Sequence, residues 1–101
     1  MTTDKIVSVV RMYRRRMEDE GIPKIRMDPS RFFGSQTRRD LLAHAHFLLD
    51  GVEEYAKDPE RRGKTGRHLG SVQTLLSVCG WYTLQELMDH NRPDGTAKEG
   101  R

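Results

Sequence analysis

The chain has 101 residues, 35% hydrophobic and 33% charged, with a formal net charge of +3. That length makes one domain with a lean core, which a dimer partner or a bound target would help to complete. No apolar run approaches the ~20 residues that span a bilayer, and the one cysteine, Cys79, has no internal disulfide partner, so the expectation is a cytoplasmic protein without membrane contact. The N-terminal stretch MTTDKIVSVVRMYRRR lacks a signal-peptide layout, because an acid precedes its short apolar run and three arginines follow it. Charge is unevenly spread: residues 1–39 carry +5, residues 40–60 carry −5, residues 61–67 carry +4 and residues 68–101 carry −1. This patchwork of signs makes the basic pI weak ground for a nucleic-acid ligand.

The spacing predicts a first helix over Thr3 to Glu20, with Ile6, Val10, Tyr13 and Met17 on one face. Asp4 suits the dipole of its first turn, and Gly21 with Pro23 stops it. Residues 22–35 read as a loop punctuated by Pro23, Pro29 and Gly34. Its Ile22, Ile25, Met27, Phe32 and Phe33 are too apolar for a free linker and predict a segment that folds back to seal one edge of the core. A second helix is expected over Thr37 to Lys57, with Leu41, Ala45, Leu48, Val52 and Tyr55 in a narrow stripe that Leu42, Leu49 and Ala56 widen. The third covers Thr65 to Cys79 and ends at Gly80; Gly70 is expected to admit another helix at close range. Trp81 and Tyr82 form an aromatic corner, and Thr83-Leu84-Gln85-Glu86 opens a fourth helix, to His90, with a capping box. The expected architecture is all-α, a bundle of three long helices and one short C-terminal helix over residues 1–93, with a disordered polar tail over 94–101.

The stretch DPERRGKT, residues 58–65, ends like a phosphate-binding loop. Such a loop needs glycine where Asp58 stands, backbone N–H groups where Pro59 has none, and a preceding strand where a helix is expected. The pattern therefore excludes nucleotide hydrolysis and predicts a short turn capped by Asp58, with Pro59 at its first position. Gly63 and Gly66 are expected to reverse the chain, leaving Arg61, Arg62, Lys64 and Arg67 on an exposed basic turn.

Arg14, Arg15 and Arg16 resemble a nucleic-acid handle, but Glu18, Asp19 and Glu20 follow each of them at i+4 and compete for them. His46, Asp50 and Glu53 form a ridge of metal-ligand types without an assured ligand from another helix, so a solvated ridge is the expectation and no metal or cofactor is assigned. His44 and His68 read as boundary histidines held by neighbours, and Cys79 as an inert core thiol. No acid, base or nucleophile constellation points to an enzyme. Trp81 and Tyr82, with Gln73 and Gln85 nearby, are of the type that anchors protein interfaces.

The stretch HLGSVQTLLSVCGWYTLQELMDHNRP (residues 68–93) combines Leu69-Gly70, Gln73, Leu76, Gly80, the run Tyr82 to Leu87, and His90-Asn91-Arg92. This pattern, with the preceding LLAHAHFLLDGVEEYA helix, resembles small helical proteins of bacteriophages and mobile elements, a family with no assigned activity. The resemblance implies an accessory protein that binds a host protein. The resulting expectation is a non-enzymatic protein-interaction module that binds a protein partner or itself as a homodimer, using Trp81, Tyr82, His90, Asn91 and Arg92 beside the basic 61–67 segment. The alternative is a nucleic-acid-binding protein using Arg11, Arg14, Arg15, Arg61, Arg62, Lys64 and Arg67.

Overall fold

Local chemistry caps the starts of three of the four α-helices among the described residues and closes two of the four in glycine turns. A computed structural model describes residues 1–93; the tail expected over 94–101 lies outside the described residues. Helix α1 (Thr3–Asp19) is capped by Thr2, whose side chain accepts from the Lys5 N–H. It ends in a Schellman turn: Gly21 takes φ +68°, its N–H donates to Glu18 O, and the Ile22 N–H donates to Met17 O at 2.8 Å. A 3-10 turn (Phe33–Ser35) precedes helix α2 (Arg38–Ala56), which Thr37 caps. Helix α3 (Arg62–Val78) ends in the same turn as α1, with Gly80 at φ +79° and the Trp81 N–H donating to Leu76 O. In both turns the residue after the glycine, Ile22 or Trp81, is driven into the core. Helix α4 (Leu84–Asn91) opens with the complete Thr83–Glu86 capping box. The described residues are all-helical, with no strand, and no helix among them is long and apolar enough to cross a membrane.

The three longer helices run up, down and up. Thr3 at the start of α1 bonds Ala56 O at the end of α2, Arg39 reaches back to Gly21 O, and Arg38 at the start of α2 bonds Cys79 O at the end of α3. The core lies along α2. Val10, Tyr13 and Met17 from α1 and Val72 and Leu76 from α3 enclose Leu42, Leu49 and Val52. Leu42 and Leu49, expected to widen the α2 stripe, are buried with Leu41, Ala45 and Val52; Ala43 and His46 extend the buried side further, whereas Leu48, Tyr55 and Ala56 are only partly buried. A helix covered on two flanks buries a wider arc than one packed on a single face.

Three expectations are corrected. Helix α3 starts at Arg62, not Thr65, because the Asp58-capped 3-10 turn Pro59–Arg61 runs straight into helical geometry at Arg62 (φ −58°, ψ −41°). Gly63 and Gly66 are therefore helical, and residues 57–61 reverse the chain. Gly70 admits no neighbouring helix: a Cβ there would meet nothing within 4 Å. The loop seals the core only at its near end. Ile22 is buried and Met27 packs against the core, but Ile25, Phe32 and Phe33 are exposed.

Helical glycine costs about 0.5–1 kcal/mol relative to alanine, and a Cβ at Gly66 meets open space. Gly66→Ala is expected to stabilise the fold by about that amount in urea unfolding. Gly80→Ala, at φ +79°, is expected to destabilise it by about 1 kcal/mol.

Candidate functional site

Of the residues expected at a partner surface, Trp81 and Arg92 are buried, and Tyr82, His90 and Asn91 are half-buried. Gln73 on α3 donates to Tyr13 Oη at 3.0 Å and to Asn91 Oδ1 at 2.7 Å, and Asn91 donates back to Gln73 Oε1 at 3.0 Å. The Tyr13 hydroxyl also shares a hydrogen bond with His90 Nδ1, 2.8 Å away. Burial pushes the Tyr13 hydroxyl up to about 12, so it remains a donor. The Tyr82 ring packs edge-on against His90, with centroids 4.7 Å apart. Arg16 lies 4.3 Å above the Trp81 ring and donates to Trp81 O and to Glu20. Arg92 pairs with Asp89. These contacts dock α4 onto α1 and α3, a structural duty that the sequence pattern left unassigned.

The basic residues are separated. Arg14 turns from Glu18 to bridge Asp50 at 2.9 Å and Glu53 at 3.2 Å across the α1–α2 interface. Arg11 and Arg15 are exposed on α1. Because 62–67 is helical, its cations diverge. Arg62 lines a hollow with Met1 and Thr3, whereas Lys64 and Arg67 line another beside Phe33. Arg61 pairs with Asp58, and Lys64 lies 4.4 Å over the Tyr55 ring.

The ridge expected to be solvated at His46, Asp50 and Glu53 is divided as well. His46 is 4% exposed, and its Nδ1–H donates to Ile22 O at 2.8 Å. Asp50 and Glu53 take Arg14, and Lys24 joins Asp50 at 3.0 Å. Partial burial pushes the Asp50 carboxyl up, but Lys24 and Arg14 outweigh it and hold the group below its usual range. Among the described residues, no group of three or more His, Cys, Asp or Glu side chains is placed to hold a metal ion. Burial pushes the Cys79 thiol up, away from the reactive thiolate.

The feature that sequence reasoning missed is an aromatic face. The chain has three phenylalanines, and Phe32, Phe33 and Phe47 are 81%, 53% and 39% exposed. All three border one hollow with His44, whose ring stacks on Phe47. Helix α2 positions this face through backbone-directed bonds. His44 Nδ1 accepts the Met27 N–H at 3.0 Å, Ala43 O accepts the Ile25 N–H, and His46 holds Ile22. The two histidines thus serve as opposite tautomers, one accepting at Nδ1 and the other donating from it. Beyond Met27 these tethers end, and Phe32 and Phe33 stand away from the core. Their signal in the sequence is the polar bracket Ser30-Arg31 and Gly34-Ser35 around two adjacent rings, which gives neither ring a periodic core face.

Burial pushes both His44 and His90 below the ordinary 6.5; Arg26 adds to the effect at His44, while Glu86 and Asp89 oppose it at His90. The unfolded chain then binds more protons than the folded one as pH falls through this range. Stability is full above about pH 6.5 and declines as pH falls toward the lowered folded values. Urea midpoints at pH 7.5 and 5.5 check this: the expected loss at the lower pH shrinks in His90→Asn and in His44→Asn. No family model matches the chain, and neither a curated protein nor a solved structure matches it.

Proposed function

We propose that the chain is a non-enzymatic, cytoplasmic protein-interaction module, an accessory protein of the bacteriophage or mobile-element kind that binds a host protein. The observation that carries this reading is the outward display of every phenylalanine in a protein whose core is lean. Burying one such side chain is worth about 1.5–3 kcal/mol. Three rings left in water on one side form a surface ready to be covered, and aromatic residues are enriched at the centres of protein interfaces. The chain's four histidines support the non-enzymatic part, since each is engaged in the fold: His44 with Met27, His46 with Ile22, His68 with Lys64 O and His90 with Tyr13. The binding surface moves accordingly from Trp81, Tyr82, His90, Asn91 and Arg92 to the face around Phe33.

Nucleic-acid binding is the second reading, favoured by a specific observation. Exposed rings beside Arg26 and Arg31 are the parts of a groove that stacks single-stranded bases. Affinity capture from a lysate of the expressing cells, with and without nuclease, using wild type and Phe32→Ser/Phe33→Ser, tests the choice. The expected result is a protein retained by wild type and lost from the variant, with matching circular-dichroism melts. Equal retention by both contradicts the assignment of this face. Capture that disappears with nuclease supports the nucleic-acid reading instead.

A further inference from the structure

We propose that the groove between the Phe33–Ser35 turn and α3 is a docking site for an acidic amphipathic helix of a protein partner. This rests on the interaction reading above and adds the chemistry of the occupant. The groove has a volume of about 740 Å³, and its apolar lining comes from Phe33, Leu41, Leu75 and Val78. Its α3 wall is low, because Gly70, Ser71 and Thr74 face it and a Cβ at Gly70 would touch nothing within 4 Å. A backbone can therefore approach that wall closely. The wall runs from Arg67 to Val78, about 16 Å at 1.5 Å per residue, which matches about three turns of a docked helix. Helices dock in such grooves through apolar side chains at i, i+3 or i+4, and i+7.

Charge selects the partner. The groove shares Phe33, Arg67 and Ser71 with an adjoining hollow, and together the two are bordered on the α3 side by Lys64 and Arg67 with no aspartate or glutamate. Arg26 and Arg31 are offset by carboxylates: Asp28 pairs with Arg31, and Arg26 lines a hollow with Asp28 and Asp40. Carboxylates flanking an apolar stripe complement that rim. A second copy of this chain does not, because a twofold contact through this face sets its cations against their own equivalents. Single-stranded nucleic acid also fits less well, since Leu41, Leu75 and Val78 offer aliphatic rather than stacking contacts and the rings stand at the border.

The probes are three labelled peptides of about 14 residues and an oligothymidylate. One peptide has a Leu/Phe stripe flanked by Glu, the second has the same stripe flanked by Lys, and the third is a scrambled version of the first. Anisotropy titrations give affinity, and amide chemical shifts give location. The expected result is binding of the Glu-flanked peptide about tenfold or more tighter than the other two, with shifts concentrated at Phe33, Ser71 and Thr74. Lys64→Glu/Arg67→Glu, folded by circular dichroism, should transfer the preference to the Lys-flanked peptide. Equal binding of the scrambled or Lys-flanked peptide overturns the proposal, as does binding of the oligothymidylate alone. Sedimentation showing a dimer that the Glu-flanked peptide does not dissociate overturns it too. If the peptides fail while capture still depends on Phe32 and Phe33, the partner is a protein of other chemistry; if both fail, the interaction reading itself falls.

Discussion

Helix α2 buries side chains from Leu41 through Ala45, Leu49 and Leu42 to His46 and Ala43, an arc of about 200° at ~100° per residue. No single neighbour covers so wide an arc. One flank is taken by α1, the other by α3, and the near half of the 22–36 loop packs over His46 and Ala43. The requirement to cover α2 thus fixes the up-down-up arrangement and the path of the loop. It also sets the limit of that path. The tethers from α2 to the loop reach as far as Met27, and the chain beyond it leads Phe32 and Phe33 outward.

Polar groups do the remaining joining. Helix α4 has eight residues and a single buried leucine, Leu87, too little apolar surface to hold it firmly alone. The Tyr13–Gln73–Asn91–His90 network compensates, joining α4 to α1 and α3. Buried networks of this kind favour one geometry, since any other leaves a donor or acceptor stranded. Residues with the look of a binding surface, an aromatic pair followed by His-Asn-Arg, are thereby committed to structure. The exposed aromatic rings lie elsewhere, Phe32 and Phe33 on the loop and Phe47 on α2, while α4 itself turns Leu84 and Met88 to the surface.

The extent to which the sequence revealed this follows from distance along the chain. Helix ends were legible because their determinants are local: Gly21 and Gly80 for the Schellman turns, Thr83 and Glu86 for the capping box, Asp58 and Pro59 for the 3-10 turn. The α3 start was misplaced because Gly63 and Gly66 are turn formers that here sit within a helix, where Thr65 is buried against the core. The roles of His46 and His90 could not be read, because their partners Ile22 and Tyr13 are 24 and 77 residues away. Arg14 likewise passed over the acid four residues on for Glu53, 39 residues away. Phe32 and Phe33 were placed at the edge of the core by hydrophobicity alone, and hydrophobicity does not record which side of a loop faces water.

The proposed interaction requires a Phe33 face that is free in the isolated protein and covered in the complex, with Trp81 and Tyr13 buried in both. Hydroxyl-radical footprinting of side chains, on the chain alone and bound to its captured partner, tests this most directly. The account predicts that Phe32, Phe33 and Phe47 are oxidised in the free chain and shielded in the complex, with Trp81 and Tyr13 protected in both. Phenylalanines shielded in the free chain, or equally oxidised with and without the partner, would contradict it.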